Sequence, residues 1–321
     1  MTVYKIALTK GYVLRHAPAQ SAQGIEASLI DIAQDLLLRA LAEDGVLEML
    51  AFKGGTALRK VYAGARGRFS TDLDFSVAGL EDDPVGVKEL VEEAVDGKEI
   101  GPFRYRVLDH RERAHIAYEN NLGFDDVGDL KSKLDIGAPP WLPPVMRPWI
   151  PLPTHDRYGG PLPDLPTVRL EENVAEKVAR LNRRTFARDA FDLVWVMREP
   201  GVALDKALTR RLALLKCWVD KNGLSTPRHV WSPIADARAF EGGRWLAPRA
   251  AKDFDDEQIG LLTTPLPDLD ELGRDLSRLY QWMGELTAEE RTIALGNGAD
   301  RGTVFDLLRG LDGGRLITEL W

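Results

Sequence analysis

Apolar positions recur at helical spacing from Ile25 to Leu41, where Ile25, Leu29, Ile32, Leu36 and Leu37 form one stripe, and this predicts an amphipathic helix of about four turns. A short apolar run, Leu47 to Phe52, then leads into Lys53-Gly54-Gly55-Thr56, after which Ala57 to Tyr62 resumes helix-like composition. Period two follows. Phe69, Leu73, Phe75 and Val77 alternate with Ser70, Asp72, Asp74 and Ser76, Thr71 being the exception, which predicts a half-buried strand with a polar face. A second alternation sets Leu130, Ser132, Leu134 and Ile136 against Lys131, Lys133 and Asp135 and reads as a neighbouring strand. Ala138 to Pro166 is dense in proline and poor in periodic apolar positions, so an irregular crossing segment is expected there.

From Leu170 the period is helical again. It is interrupted near Asn182 to Thr185 and resumes from Ala187 to Met197. Further helices are expected around Leu204 to Val219, Leu269 to Leu286 and Thr303 to Leu311, with a stretch bearing Gly, Pro and Trp from Asn222 to Pro248. The pattern predicts an α/β (α+β) domain over residues 1–166 and a mainly helical one over 167–321.

Composition narrows the class. With 44% hydrophobic and 29% charged residues and no apolar run long enough to span a bilayer, the chain reads as soluble and globular. Its opening residues lack the apolar core and cleavage site of a signal peptide, so a cytoplasmic location is expected. The single cysteine, Cys217, excludes an internal disulfide and a thiolate zinc site, and its helical surroundings suggest a packed thiol. A net charge of −8 argues against broad, charge-driven binding to nucleic acid but leaves room for a local basic patch. Arg180, Arg183, Arg184 and Arg188 are the candidate, although an arginine run by itself more often forms a solvated helix face.

On an extended strand, Asp72 and Asp74 project from one face, about 7 Å apart along the chain, a separation from which two carboxylates can grip one divalent ion or share a pair. Magnesium, or manganese in its place, suits such a site because it takes few carboxylates and completes its shell with water and substrate phosphate. An isolated Asp-x-Asp is common on exposed strands; Gly54-Gly55-Thr56 adds specificity. Two glycines let successive N–H groups converge on an anion at a helix start, though a plain tight turn is their commoner use. The spacing is that of neither a Walker A loop nor a G-x-G-x-x-G turn. Asp135 offers a third carboxylate, with a surface pair to Lys133 as the plainer explanation. In the helix from Leu170, Lys177 falls within the apolar arc of Leu170, Val174, Val178 and Leu181 and so needs an anion, either phosphate or a buried acid. Arg188 and Asp192 stand at i, i+4, the spacing of a structural ion pair.

Taken in order, Phe52 to Leu58, Arg68 to Phe75, Lys133 to Ile136, Glu172 through Glu176-Lys177, and Arg188 to Leu193 resemble the AbiEii/AbiGii-type nucleotidyltransferase toxins, which include the mycobacterial MenT toxins. The resemblance covers roughly residues 25 to 200 and fades beyond Gly201. It implies a DNA polymerase β-like nucleotidyltransferase fold, with a mixed sheet followed by a helical domain that completes the active site. It also implies a phage-defence or toxin–antitoxin role, transfer of a nucleotide from an NTP to RNA, in characterised members the 3′ acceptor end of tRNA, and a cognate antitoxin. By resemblance, Gly54, Gly55 and Thr56 hold triphosphate beside Ser70. Asp72 and Asp74 bind metal with Asp135 as third carboxylate, Lys177 contacts the nucleotide, and Asp192 is the essential acid of the last block. That block commonly has tyrosine where Phe191 stands, so no hydroxyl can act there. Two other readings remain: the same chemistry on a protein or small-molecule hydroxyl, which the acidic charge favours, and an idle nucleotide-binding module, which four intact chemical residues disfavour.

Overall fold

In the computed structural model the helix foreseen over Ile25–Leu41 runs longer, from Ala22 to Glu43 (α2), and follows a short helix, α1, over Lys10–His16. Residues 5–79, 82–110, 113–124, 127–182, 184–222, 248–255, 267–295 and 301–311 are described. They fall into two units. One comprises the chain to Pro140 together with Pro144–Val168, the other Trp141–Pro143 and the described residues from Arg169 onward.

The first unit is built on an eight-stranded mixed sheet. Its strands are β1 (Leu50–Lys53), β2 (Leu73–Val77), β3 (Glu99–Ile100), β4 (Phe103–His110), β5 (Arg113–Asn120), β6 (Lys131–Gly137), β7 (Val145–Arg147) and β8 (Leu165–Thr167), in the order β3-β4-β5-β6-β2-β1-β8-β7. The pairs β2/β6 and β1/β8 are parallel and the rest antiparallel. Along β6 the expected alternation holds, with Ser132 and Leu134 buried and Lys131 and Asp135 exposed. The strand foreseen from Phe69 begins only at Leu73, and Ser76 is buried rather than on a polar face, because β2 is central and is covered on both sides at that end. The proline-dense stretch is partly sheet, not simply a crossing: β8 pairs with β1 and β7, and Val168 N donates to Phe52 O at 2.9 Å. The hairpin β4/β5 has a period-two signal of its own in Phe103, Tyr105 and Val107.

Helix α2 is not half-solvated. Its apolar stripe packs in the core with Val61, Phe75 and Tyr105, and its opposite side is buried too, with Ser28, Asp31, Gln34 and Asp35 at 0–1% exposure. Charge pairing makes this possible. Asp31 accepts from Arg59 Nε at 2.9 Å and Nη2 at 3.0 Å and from Lys60 Nζ at 3.0 Å, and lies 2.7 Å from His16 Nε2. Asp35 accepts from Lys60 as well, and from Tyr158 Oη at 2.7 Å. Burial would raise the Asp31 carboxyl, but Arg59 and Lys60 outweigh it and hold it well below the usual range; Lys60 does the same for Asp35.

The second unit is helical, with α5 (Leu170–Leu181), α6 (Ala187–Arg198), α7 (Lys206–Asn222), α8 (Leu269–Leu279), α9 (Ala288–Leu295) and α10 (Arg301–Arg309); α3 and α4, Gly54–Leu58 and Pro84–Val95, belong to the first. Helix α8 ends at Leu279 instead of Leu286, where Trp282 Nε1 donates to Leu279 O at 2.9 Å and a 3₁₀ turn follows. Most of the stretch from Asn222 to Pro248 lies outside the described residues. Cys217 is packed, as expected of a helix-face thiol. No helix among the described residues is long and apolar enough to cross a membrane.

Because Asp31 and Asp35 have folded pKa values below the unfolded value of about 3.9, their stabilisation is complete above about pH 4 and is lost as pH falls through the folded values. Melting temperature measured from about pH 6 downward should drop steeply in this acid range. Asp31→Asn, which leaves Arg59 and Lys60 underpaired, should cost about 3–5 kcal/mol in denaturant titration at neutral pH and flatten that acid dependence.

Candidate active site

Strand β1 runs directly into α3 through Gly54, whose φ of +77° is a left-handed conformation that glycine adopts without strain. A Cβ at Gly54 would stand 2.2 Å from Asp74 Oδ2, and one at Gly55 would stand 2.1 Å from Arg68 Nη2. The glycine pair therefore fits between a carboxylate and a guanidinium. Thr56 is buried and its hydroxyl donates to the Asp72 carbonyl, so this side chain ties α3 to the approach of β2 rather than pointing outward. Ser70 is buried on the same approach; its carbonyl accepts from Gln34 Nε2 at 3.2 Å, and that amide also donates to Ser132 Oγ at 2.9 Å.

Register assembles the acids. Asp74 is paired with Lys53 on one side and with Asp135 on the other, so three adjacent strands place Lys53, Asp74 and Asp135 in a row on one face, neighbours about 4.8 Å apart. Asp72 sits two residues before Asp74, just ahead of β2. Lys53 Nζ would be 3.8 Å from a Cβ on Gly137, so its ammonium extends across β2 towards β6. Asp135 pairs with Lys133 at 2.8 Å, both side chains exposed, which makes this a weak contact that a ligand can displace.

Among the described residues no group of three or more His, Cys, Asp or Glu closes round a single point as a metal cage. What the row offers is a partial set of hard oxygen donors beside an open face, and such a set fits an ion that keeps water and takes phosphate oxygen for the rest of its shell. Asp74 and Asp135, with Asp72 next to them, are the residues that would hold it.

The remaining candidates belong to the second unit. Lys177, buried as its helical phase predicted, donates to Asp189 Oδ1 at 3.0 Å and pairs with Asp192 Oδ2 at 2.9 Å. Burial alone would raise Asp189, but Lys177, followed by Arg180, brings it down to about 2. The inward lysine thus has the buried acid that was one of its two options. Asp192 meets Lys177 across helices α5 and α6, a partner that the i, i+4 spacing to Arg188 does not reveal. Of the arginines, Arg180 lies 3.4 Å from Asp189, Arg184 pairs with Asp255, Arg188 stands over the Phe186 ring, and Arg183 lies outside the described residues. Glu172, at 0% exposure, accepts from the amides of Trp141 and Leu142, both at 2.8 Å, and from Lys216 at 2.9 Å. Lys53, Arg68 and Asp189 went unassigned in the sequence, although Asp189 lies at i−3 from Asp192 and so shares its helix face.

A family profile described as nucleotidyl transferase AbiEii toxin, type IV TA system, matches residues 35–276. The chain is similar to a solved structure of MenT4, a nucleotidyltransferase toxin from Mycobacterium tuberculosis H37Rv, with a TM-score of 0.79 and 32% identity, covering 95% of this chain and 99% of that one. No match was found among curated proteins.

The Gly54–Asp74 approach can be tested by itself. Gly54→Ala imposes a positive φ on alanine as well as a clash, and should cost about 1–3 kcal/mol in urea titration. Asp74→Ala removes the clashing oxygen, so in the double variant the loss should be smaller than the sum of the two single losses.

Proposed function

Because the chain belongs to the AbiEii family of nucleotidyltransferase toxins, we propose that it transfers a nucleotide from an NTP to the 3′ hydroxyl of an RNA acceptor, tRNA foremost, releasing pyrophosphate, with Asp72, Asp74 and Asp135 around magnesium. The observation that carries this reading is the register that puts Asp74 beside Asp135 while Gly54 lies against Asp74. It brings the phosphate-binding turn and the acids to the same end of β1 and β2. An RNA acceptor is supported by the family resemblance of the five sequence blocks, and a cognate antitoxin by the family's place in toxin–antitoxin systems. Work in the cytoplasm follows from such a substrate.

The protein's own groups have distinct tasks. The amides of Gly54 and Gly55, at the start of α3, are the donors assigned to an incoming triphosphate, and Lys53, in register with Asp74, steadies the acidic row. In a two-metal mechanism, one ion held by Asp72 and Asp74 would orient the triphosphate and neutralise its charge, and a second, shared with Asp135, would lower the pKa of the attacking hydroxyl. Asp135 is the group assigned to accept that hydroxyl's proton as general base, a role that its solvent exposure and weak pairing to Lys133 support. Lys177 and Asp192 take their roles, contact with the nucleotide and the essential acid, from the resemblance; Asp189 and Asp192 hold the Lys177 ammonium in position. A protein or small-molecule hydroxyl as acceptor has the net charge of −8 in its favour.

Purified protein given labelled NTPs with total tRNA, and separately with cell protein, should place the label at RNA 3′ ends, and chelation should abolish transfer. Asp135→Asn should slow transfer by about 10²–10⁴-fold with nucleotide binding retained. Label confined to protein or to small molecules overturns the RNA assignment, and full activity of Asp74→Ala overturns the site.

A further inference from the structure

A cleft of about 670 Å³ opens in the first unit, lined by Tyr12, Arg15 and His16 of α1, by Arg59 and Arg66, and by Phe69, with further apolar atoms from Leu152 and two prolines. Its size is that of a small-ligand site, about 300–1,000 Å³. Among the described residues, none that lines the cleft carries a carboxylate, on a chain whose net charge is −8. Arg15 and Arg66 are exposed at its margin, whereas Arg59 is buried and ion-paired to Asp31. The aromatic wall is preorganised. Arg59 stacks on Phe69 with its guanidinium carbon 3.7 Å from the ring centroid, His16 meets the same ring edge-on at 5.5 Å, and Arg15 lies 4.4 Å over Tyr12.

The cleft and the acidic row share two chain segments. Arg59 follows Thr56 by three residues and Phe69 precedes Asp72 by three, so neither wall residue's Cα can lie more than about 11 Å from that of Thr56 or Asp72 respectively. The Thr56 hydroxyl bond to Asp72 O joins the two segments at one end, and the Arg59–Phe69 stack joins them at the other.

We propose that this cleft receives the single-stranded 3′ end of the RNA acceptor, its phosphates against Arg15 and Arg66 and a base against the Phe69 and Tyr12 wall. The inference rests on the reading of the acidic row as a nucleotidyl-transfer site, and gives that site its second substrate. Flat cationic and aromatic surfaces alternate here in the way that single strands need: phosphate charge is met by guanidinium, and the π-face of any base finds a ring, without sequence readout. It also explains how an acidic protein can hold a polyanion, since Arg15 and Arg66, the exposed charges that line the cleft, are opposite in sign to the total.

The test is fluorescence anisotropy with a 5′-labelled, single-stranded RNA of about eight nucleotides bearing a free 3′ hydroxyl, on the full chain and on Arg15→Glu/Arg66→Glu. Both substitutions are at exposed positions, and an unchanged melting temperature verifies the fold. The double variant should bind at least about tenfold more weakly, and the slope of log K against log salt should fall by about 1.4, the loss of two phosphate contacts on a single strand. Unchanged affinity and slope, or no RNA binding by the unaltered chain, overturns the proposal. So does an equal loss for free NTP, which makes the cleft a nucleotide site. RNA binding through the arginines without any transfer by the unaltered chain leaves the cleft standing and removes the transferase reading. Transfer to RNA with binding insensitive to the arginines does the reverse.

Discussion

Four charges buried together on one side of α2 decide where the Gly54–Ala63 segment sits. Asp31 and Asp35 cannot stay ionised in the core without cations, and the two cations come from consecutive positions, Arg59 and Lys60, on a π-helical turn that directly continues α3. A π turn shifts side chains out of ordinary α phase, and here two neighbouring long chains both reach Asp31, Lys60 bonding Asp35 as well. That anchors the C-terminal end of the segment whose N-terminal end is Gly54-Gly55-Thr56. The Thr56 bond to Asp72 then carries the placement across to β2. Position of the glycines relative to the acids, and of Arg59 relative to Phe69, both depend on this one network.

The local chemistry was legible in the sequence and the pairing was not. Gly-Gly-Thr marks a backbone that must curl, and alternation at Leu73–Val77 and Leu130–Ile136 marks strands, because backbone sterics and burial act within a few residues. That Asp74 is opposite Asp135, with Lys53 on the far side, is a matter of register between strands far apart in the chain, and alternation alone fits several registers. Helix α2 looked amphipathic for a related reason. Asp31 and Asp35 mark a wet face unless one knows that Arg59 and Lys60 cover it. Lys177 illustrates the converse: its phase within the apolar arc predicted burial and the need for an anion, and helix α6 supplied two. The proline-dense segment misled because three-residue strands such as β7 and β8 are too short to show a period.

The second unit uses the same device as the first. Lys177 is gripped by Asp189 and Asp192, and Lys216 by Glu172 and Glu176; burial would lower the Lys216 ammonium, but Glu172 and then Glu176 raise it above its ordinary value. Each lysine joins helices, α5 to α6 and α5 to α7, so α5 is pinned on two sides by charge as well as by its apolar stripe.

Glu172 has a further consequence. Its two oxygens take the amides of Trp141 and Leu142, residues that the chain contributes to the helical unit long before that unit begins in earnest at Arg169. Neither unit is therefore a continuous stretch of sequence. A gene divided after Val168 would encode a helical half in which Glu172 keeps Lys216 but has lost both amide donors. Recombination or domain shuffling at that point is penalised, so the two halves are expected to be inherited together rather than traded as modules.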